Sequence, residues 1–410
     1  MLSSLRRRAA CLLVLASLAA AFGLAGPASA ADLGFSVPTP SSDPFYTPPS
    51  PLPAGKAGDV LRSRQVDVYA EPLRIVPVPV RAWQVLYRST SATGQPIAVS
   101  GTLLVPPTPW TTGARPLVSY AVGTHGLGDS CAPSYKLRTG TENEEALIAQ
   151  ALLKGWAVVI TDYAGLGTPG GHTYAVGQAE GPAMLDAIRA AQQLPGTGLA
   201  AGGPAAVWGY SQGGQAAAFA GELQPTYAPD VHLVGIAAGG VPADLEKLAR
   251  ANDGAPWFGL VLGAAVGLST AYQDVPFDGI LNDAGRAAVA QVRTACVVEL
   301  ATAFAFHHLG DYLTVPDPLA DPHWQARLAE NHAGRHAPTA PVLVYHGIND
   351  EIIPLSVGEQ LRADYCGLGA TVDWTAFPLS EHITGDIVGA PFALSWLADR
   401  FAARPTAGSC

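Results

Sequence analysis

Near the middle of the chain, Trp208-Gly209-Tyr210-Ser211-Gln212-Gly213-Gly214 places a serine between two glycines in a G-x-S-x-G pattern. A short apolar run, Ala205 to Trp208, precedes it, and a small-residue stretch over 212–223 that reads as a helix follows. That context is a nucleophile elbow, a tight strand-to-helix turn that holds a serine hydroxyl up for attack. Residues two before and two after the serine crowd its backbone, so both must be tiny, as Gly209 and Gly213 are. The helix that starts at the turn aims its N-terminus at the site and favours negative charge there.

A serine hydroxyl is a weak nucleophile until a base takes its proton, and the base needs an acid to set its tautomer. Around such an elbow the chain order is serine, then Asp or Glu, then His. Asp350 follows the strand-like run Pro341 to Tyr345, inside His346-Gly347-Ile348-Asn349-Asp350-Glu351. His382 follows the run Thr371 to Phe377 and is expected in the loop before a last helix, Ile387 to Phe401. The alternatives for Asp350 are a helix cap, or displacement by its neighbour Glu351; Asn349 carries no charge. An oxyanion hole must complete the site. Its first donor is expected to be the backbone N–H of Gln212, and its second to come from Gly123-Thr124-His125-Gly126-Leu127-Gly128-Asp129, with His125 the first choice and Gly126 the second.

These residues need a frame. Strand-like runs at Trp83–Arg88, Pro96–Val105, Pro116–Val122, Trp156–Thr161, Ala205–Trp208, Val231–Ile236, Pro341–Tyr345 and Thr371–Phe377 alternate, from Pro116 on, with helical patterns at Glu142–Lys154, Val176–Leu194, 212–223 and Ser356–Tyr365. Such alternation makes an α/β fold, a mostly parallel sheet with helices on both faces. Functional loops then lie at the carboxyl ends of the strands, where Ser211, Asp350 and His382 all fall. Residues 241–336 break the rhythm and read as a helical lid inserted in a core of 61–240 and 337–410. Residues 31–60 are a proline-rich arm, and Phe45-Tyr46 within it suggests packing on the core.

The first thirty residues read as an export signal. Arg6-Arg7-Arg8 precede an apolar run from Ala9 to Leu24, and Ala28-Ser29-Ala30 offers a cleavage site. The run is shorter than the roughly 20 residues of a spanning helix. The expectation is a secreted chain starting at Ala31, with no stable membrane span. Beyond Cys11 the cysteines are Cys131, Cys296, Cys366 and Cys410, an even number that favours disulfides after export. Spacing alone leaves all three pairings open. Metal binding is not expected: no CxxC occurs, and the histidines of the insertion (His307, His308, His323, His332, His336) lack an HExxH arrangement.

Composition narrows the class. Among 410 residues, 14% are charged and the net charge is −10, against roughly 25% charged in an average domain. No basic surplus exists to bind nucleic acid. The four lysines, Lys56, Lys136, Lys154 and Lys247, make no polybasic membrane patch. At 49% hydrophobic, the chain is no candidate for disorder.

Together the motifs resemble a known group. Asp43-Pro44-Phe45-Tyr46 with Pro48 and Pro49, Cys131-Ala132-Pro133-Ser134, Gly209 to Gly214, Tyr227-Ala228-Pro229-Asp230, His346-Gly347 with Asp350, and His382 are similar to the secretory lipase family of the α/β-hydrolases, which includes the fungal lipase A type and actinobacterial exported lipases. The resemblance spans nearly the whole exported chain. It implies an α/β-hydrolase fold with a helical lid, a triad of Ser211, Asp350 and His382, and disulfides Cys131–Cys296 and Cys366–Cys410. In that family an acidic residue of the early loop helps form the oxyanion hole; His125 stands at that position here. The fungal type continues past its last cysteine as a flap over the acyl site. This sequence stops at Cys410, so a more open acyl tunnel is expected.

The function expected is hydrolysis of carboxylic esters, most simply acylglycerols, through an acyl-enzyme and without cofactor or metal. The apolar run Pro256 to Leu262 would meet acyl chains or, transiently, a lipid interface. The other readings are a short-chain or polyester esterase without interfacial activation, a peptidase of the same fold, and a non-catalytic binding module. Dehalogenase and epoxide hydrolase chemistry is not expected, because those enzymes use Asp as nucleophile.

Overall fold

The computed structural model describes residues 36–410. The leader expected over residues 1–30, with cleavage near Ala30, lies outside the described residues. Among these residues nine strands form one sheet: β1 (Val60–Val66), β2 (Arg81–Thr90), β3 (Pro96–Val105), β4 (Leu117–Ala121), β5 (Ala157–Thr161), β6 (Ala205–Tyr210), β7 (Leu233–Gly239), β8 (Val342–Gly347) and β9 (Val372–Phe377). Their order is β1-β2-β3-β5-β4-β6-β7-β8-β9. β1, β2, β3 and β5 pair antiparallel, and the pairs from β5 through β9 are parallel. β4 and β5 are buried along their whole length, as strands covered on both faces must be, and apart from Ser119 and Thr161 their residues are apolar.

The helices are α1 (Pro133–Thr139), α2 (Glu145–Leu153), α3 (Gly177–Gln193), α4 (Gln212–Tyr227), α5 (Leu245–Asn252), α6 (Phe258–Ala271), α7 (Asp283–Val292), α8 (Val297–Ala303), α9 (Pro322–Glu330), α10 (Leu355–Gly367) and α11 (His382–Phe401). α3 and α4 pack on each other and on the middle of the sheet; α2 and α11 pack on each other and on β5, β7 and β8. Between β7 and β8 the chain holds only helices, α5 to α9 with short 3-10 turns.

β4 has β5 on one side and β6 on the other. The chain therefore reverses direction across the sheet at this strand, and the loops after β4 and β6 open a crevice between them. Ser211 and the loop 123–129 flank that crevice.

One strand has no counterpart in the sequence reading, and one helix starts earlier than expected. β1 is an edge strand whose polar, half-exposed residues carry no apolar alternation. α11 begins at His382 and not at Ile387, so His382 sits in the first helical turn. Glu381 starts the helix: its carboxylate accepts the N–H groups of Ile383 and Thr384, and the Thr384 hydroxyl accepts the Glu381 N–H.

The arm packs by way of its aromatic pair. Phe45 and Tyr46 are buried against Leu86, and the Tyr46 hydroxyl bonds Ser134 Oγ at 2.9 Å. The structure joins Cys131 to Cys296 and Cys366 to Cys410, the pairings that the resemblance implies. The first ties the β4 loop to the segment before α8. Backbone bonds Val297 N–H to His125 O (2.9 Å) and Leu127 N–H to Ala295 O (2.9 Å) reinforce the same seam.

Candidate active site

Ser211 occupies the turn between β6 and α4 with φ 58° and ψ −125°. A positive φ is costly for any residue but glycine and persists only where its surroundings dictate it. Here they do. A Cβ on Gly213 would lie 1.9 Å from Ala121 O, and one on Gly209 would lie 2.4 Å from Gly213 O. The glycines let β4, β6 and α4 close on the turn, and the turn raises the serine.

His382 Nε2 lies 3.0 Å from Ser211 Oγ, and His382 Nδ1 lies 2.7 Å from Asp350 Oδ2. Asp350 Oδ1 accepts the N–H groups of Ile352 (3.0 Å) and Ile353 (2.8 Å). Burial pushes the Asp350 carboxyl up, but the His382 bond, the His382 charge and the Ile353 N–H together hold it below its ordinary value. Asp350 caps no helix, since α10 starts after Pro354. Glu351 points elsewhere, with Oε2 accepting the His382 backbone N–H at 3.1 Å. A second buried histidine, His346, has Nε2 3.4 Å from Asp350 Oδ2 and donates to Ile353 O at 2.9 Å. Burial holds that ring below its ordinary pKa.

Gln212, the first residue of α4, is fixed by groups that carry no sequence motif. Its side-chain amide donates to Glu180 Oε1 (2.9 Å) and to His172 Nε2 (3.2 Å), while His172 Nδ1 donates to Ala164 O (3.0 Å). Burial pushes the Glu180 carboxyl up to about 8 and the His172 imidazole down to about 4, favouring the uncharged form of each beside the serine.

The loop after β4 approaches the serine through Gly123, where a Cβ would lie 3.7 Å from Ser211 Cβ. The Gly123 N–H goes to Glu144 Oε1 at 2.8 Å, and Glu144 Oε2 takes the Tyr120 hydroxyl at 2.6 Å. Both ring nitrogens of His125 have partners within the loop and the helix start that follows it. Nε2 meets Glu142 Oε1 at 2.7 Å and Nδ1 meets Gly123 O at 3.0 Å. Any part that His125 or Gly126 takes in an oxyanion hole therefore falls to the backbone N–H. Gly126 has φ 114°, and a Cβ there would strike Ala295 O and Cys296 at 2.4 Å. In the sequence, Glu142 and Glu144 read only as helix-start acids. Their signal is excess: Glu142, Glu144 and Glu145 crowd a helix start that needs one acid at most.

Burial would lower the His125 pKa, yet the charge and hydrogen bond of Glu142 raise it to about 9; Glu142 is held below its ordinary value. The stabilisation from a raised histidine is full below its unfolded pKa near 6.5 and fades as pH rises through about 9. Glu142→Gln strands a buried imidazolium. It is expected to cost about 3–5 kcal/mol at pH 6 and to flatten the fall of Tm with pH between 6.5 and 9. Thermal melting across that range checks it; equal melting curves for variant and parent would refute the pair's role.

From Ser211 and Gln212 an apolar cleft, open at its mouth, runs under the helices between β7 and β8. Leu245, Leu248, Val261, Leu268, Phe277 and Trp324 are among its walls, and none of its lining residues is charged. The insertion histidines have other neighbours, His307 against Tyr312 and His308 against Asp253. Among the described residues no group of three or more His, Cys, Asp or Glu is placed to hold a metal ion.

A mostly parallel sheet with a serine elbow after β6, an acid after β8 and a histidine after β9 is the α/β-hydrolase fold. The chain belongs to the secretory lipase family, whose model matches residues 133–409. It is 34% identical over 377 residues to a probable inactive lipase of Mycobacterium tuberculosis, covering 89% of this chain and 83% of that protein. It is 34% identical over 380 residues to lipase A of Arthroderma benhamiae, covering 88% and 79%. Among solved structures, Candida antarctica lipase A in its closed state superposes with a TM-score of 0.81 at 25% identity, covering 91% and 88%.

Proposed function

We propose that the chain is a secreted carboxylic ester hydrolase acting on acylglycerols through a Ser211–His382–Asp350 triad. The observation that carries this reading is the unbroken bonding path from Asp350 to His382 to Ser211 at the head of an uncharged cleft. His382 Nε2 takes the Ser211 proton as Oγ attacks the ester carbonyl. The oxyanion is held by the Gln212 N–H and by a backbone N–H of His125 or Gly126. His382 returns the proton to the departing alcohol, and the acyl group stays on Ser211. Water, deprotonated by His382, then attacks the acyl-enzyme; the acid leaves and Ser211 recovers its proton.

One of the relatives is described as inactive. In favour of catalysis in this chain stand the 3.0 Å contact at the serine and the strained turn that presents it. Against the peptidase reading stands the cleft wall, which offers no acid to hold a free amine. The helices of residues 241–336 serve, in this reading, as lid and acyl pocket over a core of 61–240 and 337–410. Among the described residues no helix is long and apolar enough to cross a membrane. The family and the expected leader support export.

Each CH2 group buried in such a cleft adds about 0.8 kcal/mol, so kcat/KM should rise about fourfold per carbon along p-nitrophenyl esters from acetate upward until the cleft is filled. A profile that is highest at acetate and falls from there would overturn the acylglycerol assignment.

A further inference from the structure

We infer that the outward face of α11 is a docking surface for an uncharged lipid–water interface, a deepening that rests on the ester-hydrolase reading above. Surface helices of soluble proteins turn a charged or polar face outward. α11 does the reverse. Between 383 and 395 its exposed positions are Ile383, Ile387, Val388, Pro391 and Phe392, with Thr384 and Ser395, and none is charged. Ile383 and Ile387 are each 55% exposed and Phe392 57%, although Phe392 also leans on Phe377. Leu379, just ahead of the helix, is 90% exposed, with φ 60°. A run of large apolar side chains held in solvent marks a contact surface.

Its position and its charge say what it meets. The run starts beside His382, whose Nε2 touches Ser211, so whatever rests on Leu379 and Ile383 lies at the rim of the candidate site. The side chains bordering that end are acids: Glu381, which caps the helix, and Glu351, which holds the His382 N–H. From Val342 to the end of α11 the Arg and Lys residues are Arg362, whose guanidinium is bonded to Ser409 O at the C-terminus, and Arg400, which is buried over the Trp396 ring. Attraction to an anionic bilayer needs lysines and arginines at the contact, and this face has none. A neutral surface of ester lipid fits both the apolar face and its acidic border. It would also bring the scissile ester to the serine from the side where the lipid rests.

The test is flotation of the full chain, in a Ser211→Ala background to spare the lipid, with phosphatidylcholine-coated triolein droplets and with phosphatidylglycerol vesicles. The parent should rise with the droplets and stay behind from the anionic vesicles. Ile387→Glu and Phe392→Glu should each weaken droplet binding about tenfold or more. In the Ser211 background the same two changes should leave turnover of dissolved p-nitrophenyl acetate unchanged. Equal flotation of parent and variants would overturn the proposal. So would a preference for the anionic vesicles, or a dimer in sedimentation that both variants dissociate, which would make this face a contact between two copies. Loss of flotation in the variants of a chain that cleaves no ester would uphold the docking face and fell the catalytic reading instead.

Discussion

Ser211→Ala is expected to lower kcat for p-nitrophenyl butyrate by about 10⁶ while the fold stays intact. The loss is this large because the members of such a site act as a unit: without Oγ no acyl-enzyme forms, and His382 has no proton to take. What remains is the oxyanion donors and the cleft, which in comparable enzymes retain about 10³–10⁴ over water. The fold should tolerate the change because Ser211 makes its side-chain bond only to His382, while its N–H and C=O stay bonded to Gly239 and Gln215. Alanine inherits the positive φ that serine already carries, so the change adds no backbone strain and stability should stay close to that of the parent. A purified, folded Ser211→Ala protein that keeps wild-type turnover would remove the serine from the chemistry.

Asp350→Asn is the second largest expected effect, a fall in kcat of about 10⁴. Asp350 Oδ1 is committed to the N–H groups of Ile352 and Ile353, so an asparagine will keep its oxygen there and turn its NH2 toward His382 Nδ1. Nδ1 must then accept, which moves the ring proton to Nε2, the atom that has to receive the serine proton. The geometry survives and the tautomer is wrong. Asp350→Glu, which restores the charge at a longer reach, should recover part of the loss. Michaelis–Menten measurement on the three forms decides: equal kcat for the parent and Asp350→Asn would mean that the acid does not set the tautomer of His382.

The elements behind these two predictions were legible for unequal reasons. Largely apolar and β-branched runs gave away β3, β4 and β5, because strands covered on both faces bury nearly every side chain, and the few polar ones, such as Ser119 and Thr161, are hydrogen-bonded there. The glycines at 209 and 213 were legible because the crowding they relieve is a property of any such turn. Ser211, Asp350 and His382 could be named from chain order and strand ends. The start of α11 could not, because Thr384-Gly385 looks like loop and the Glu381 cap shows only in three dimensions. β1 was hidden by its half-exposed edge position. The buried groups behind the site were the least legible. Glu180, His172 and Glu144 are ordinary polar letters in helices and loops until the fold removes water from around them. His125 illustrates the same limit: its place in the loop was readable, but the turn of its ring toward Glu142 depends on a partner 17 residues away.

A fluorophosphonate probe puts the role proposed for Ser211 to the plainest test, because it reacts with a serine only when that serine is activated by its base. One covalent adduct is expected, mapped by peptide mass spectrometry to Ser211, absent from Ser211→Ala and strongly slowed in Asp350→Asn. A folded wild-type chain that takes up no label, or that carries the label on another residue while Ser211 stays free, would contradict the triad.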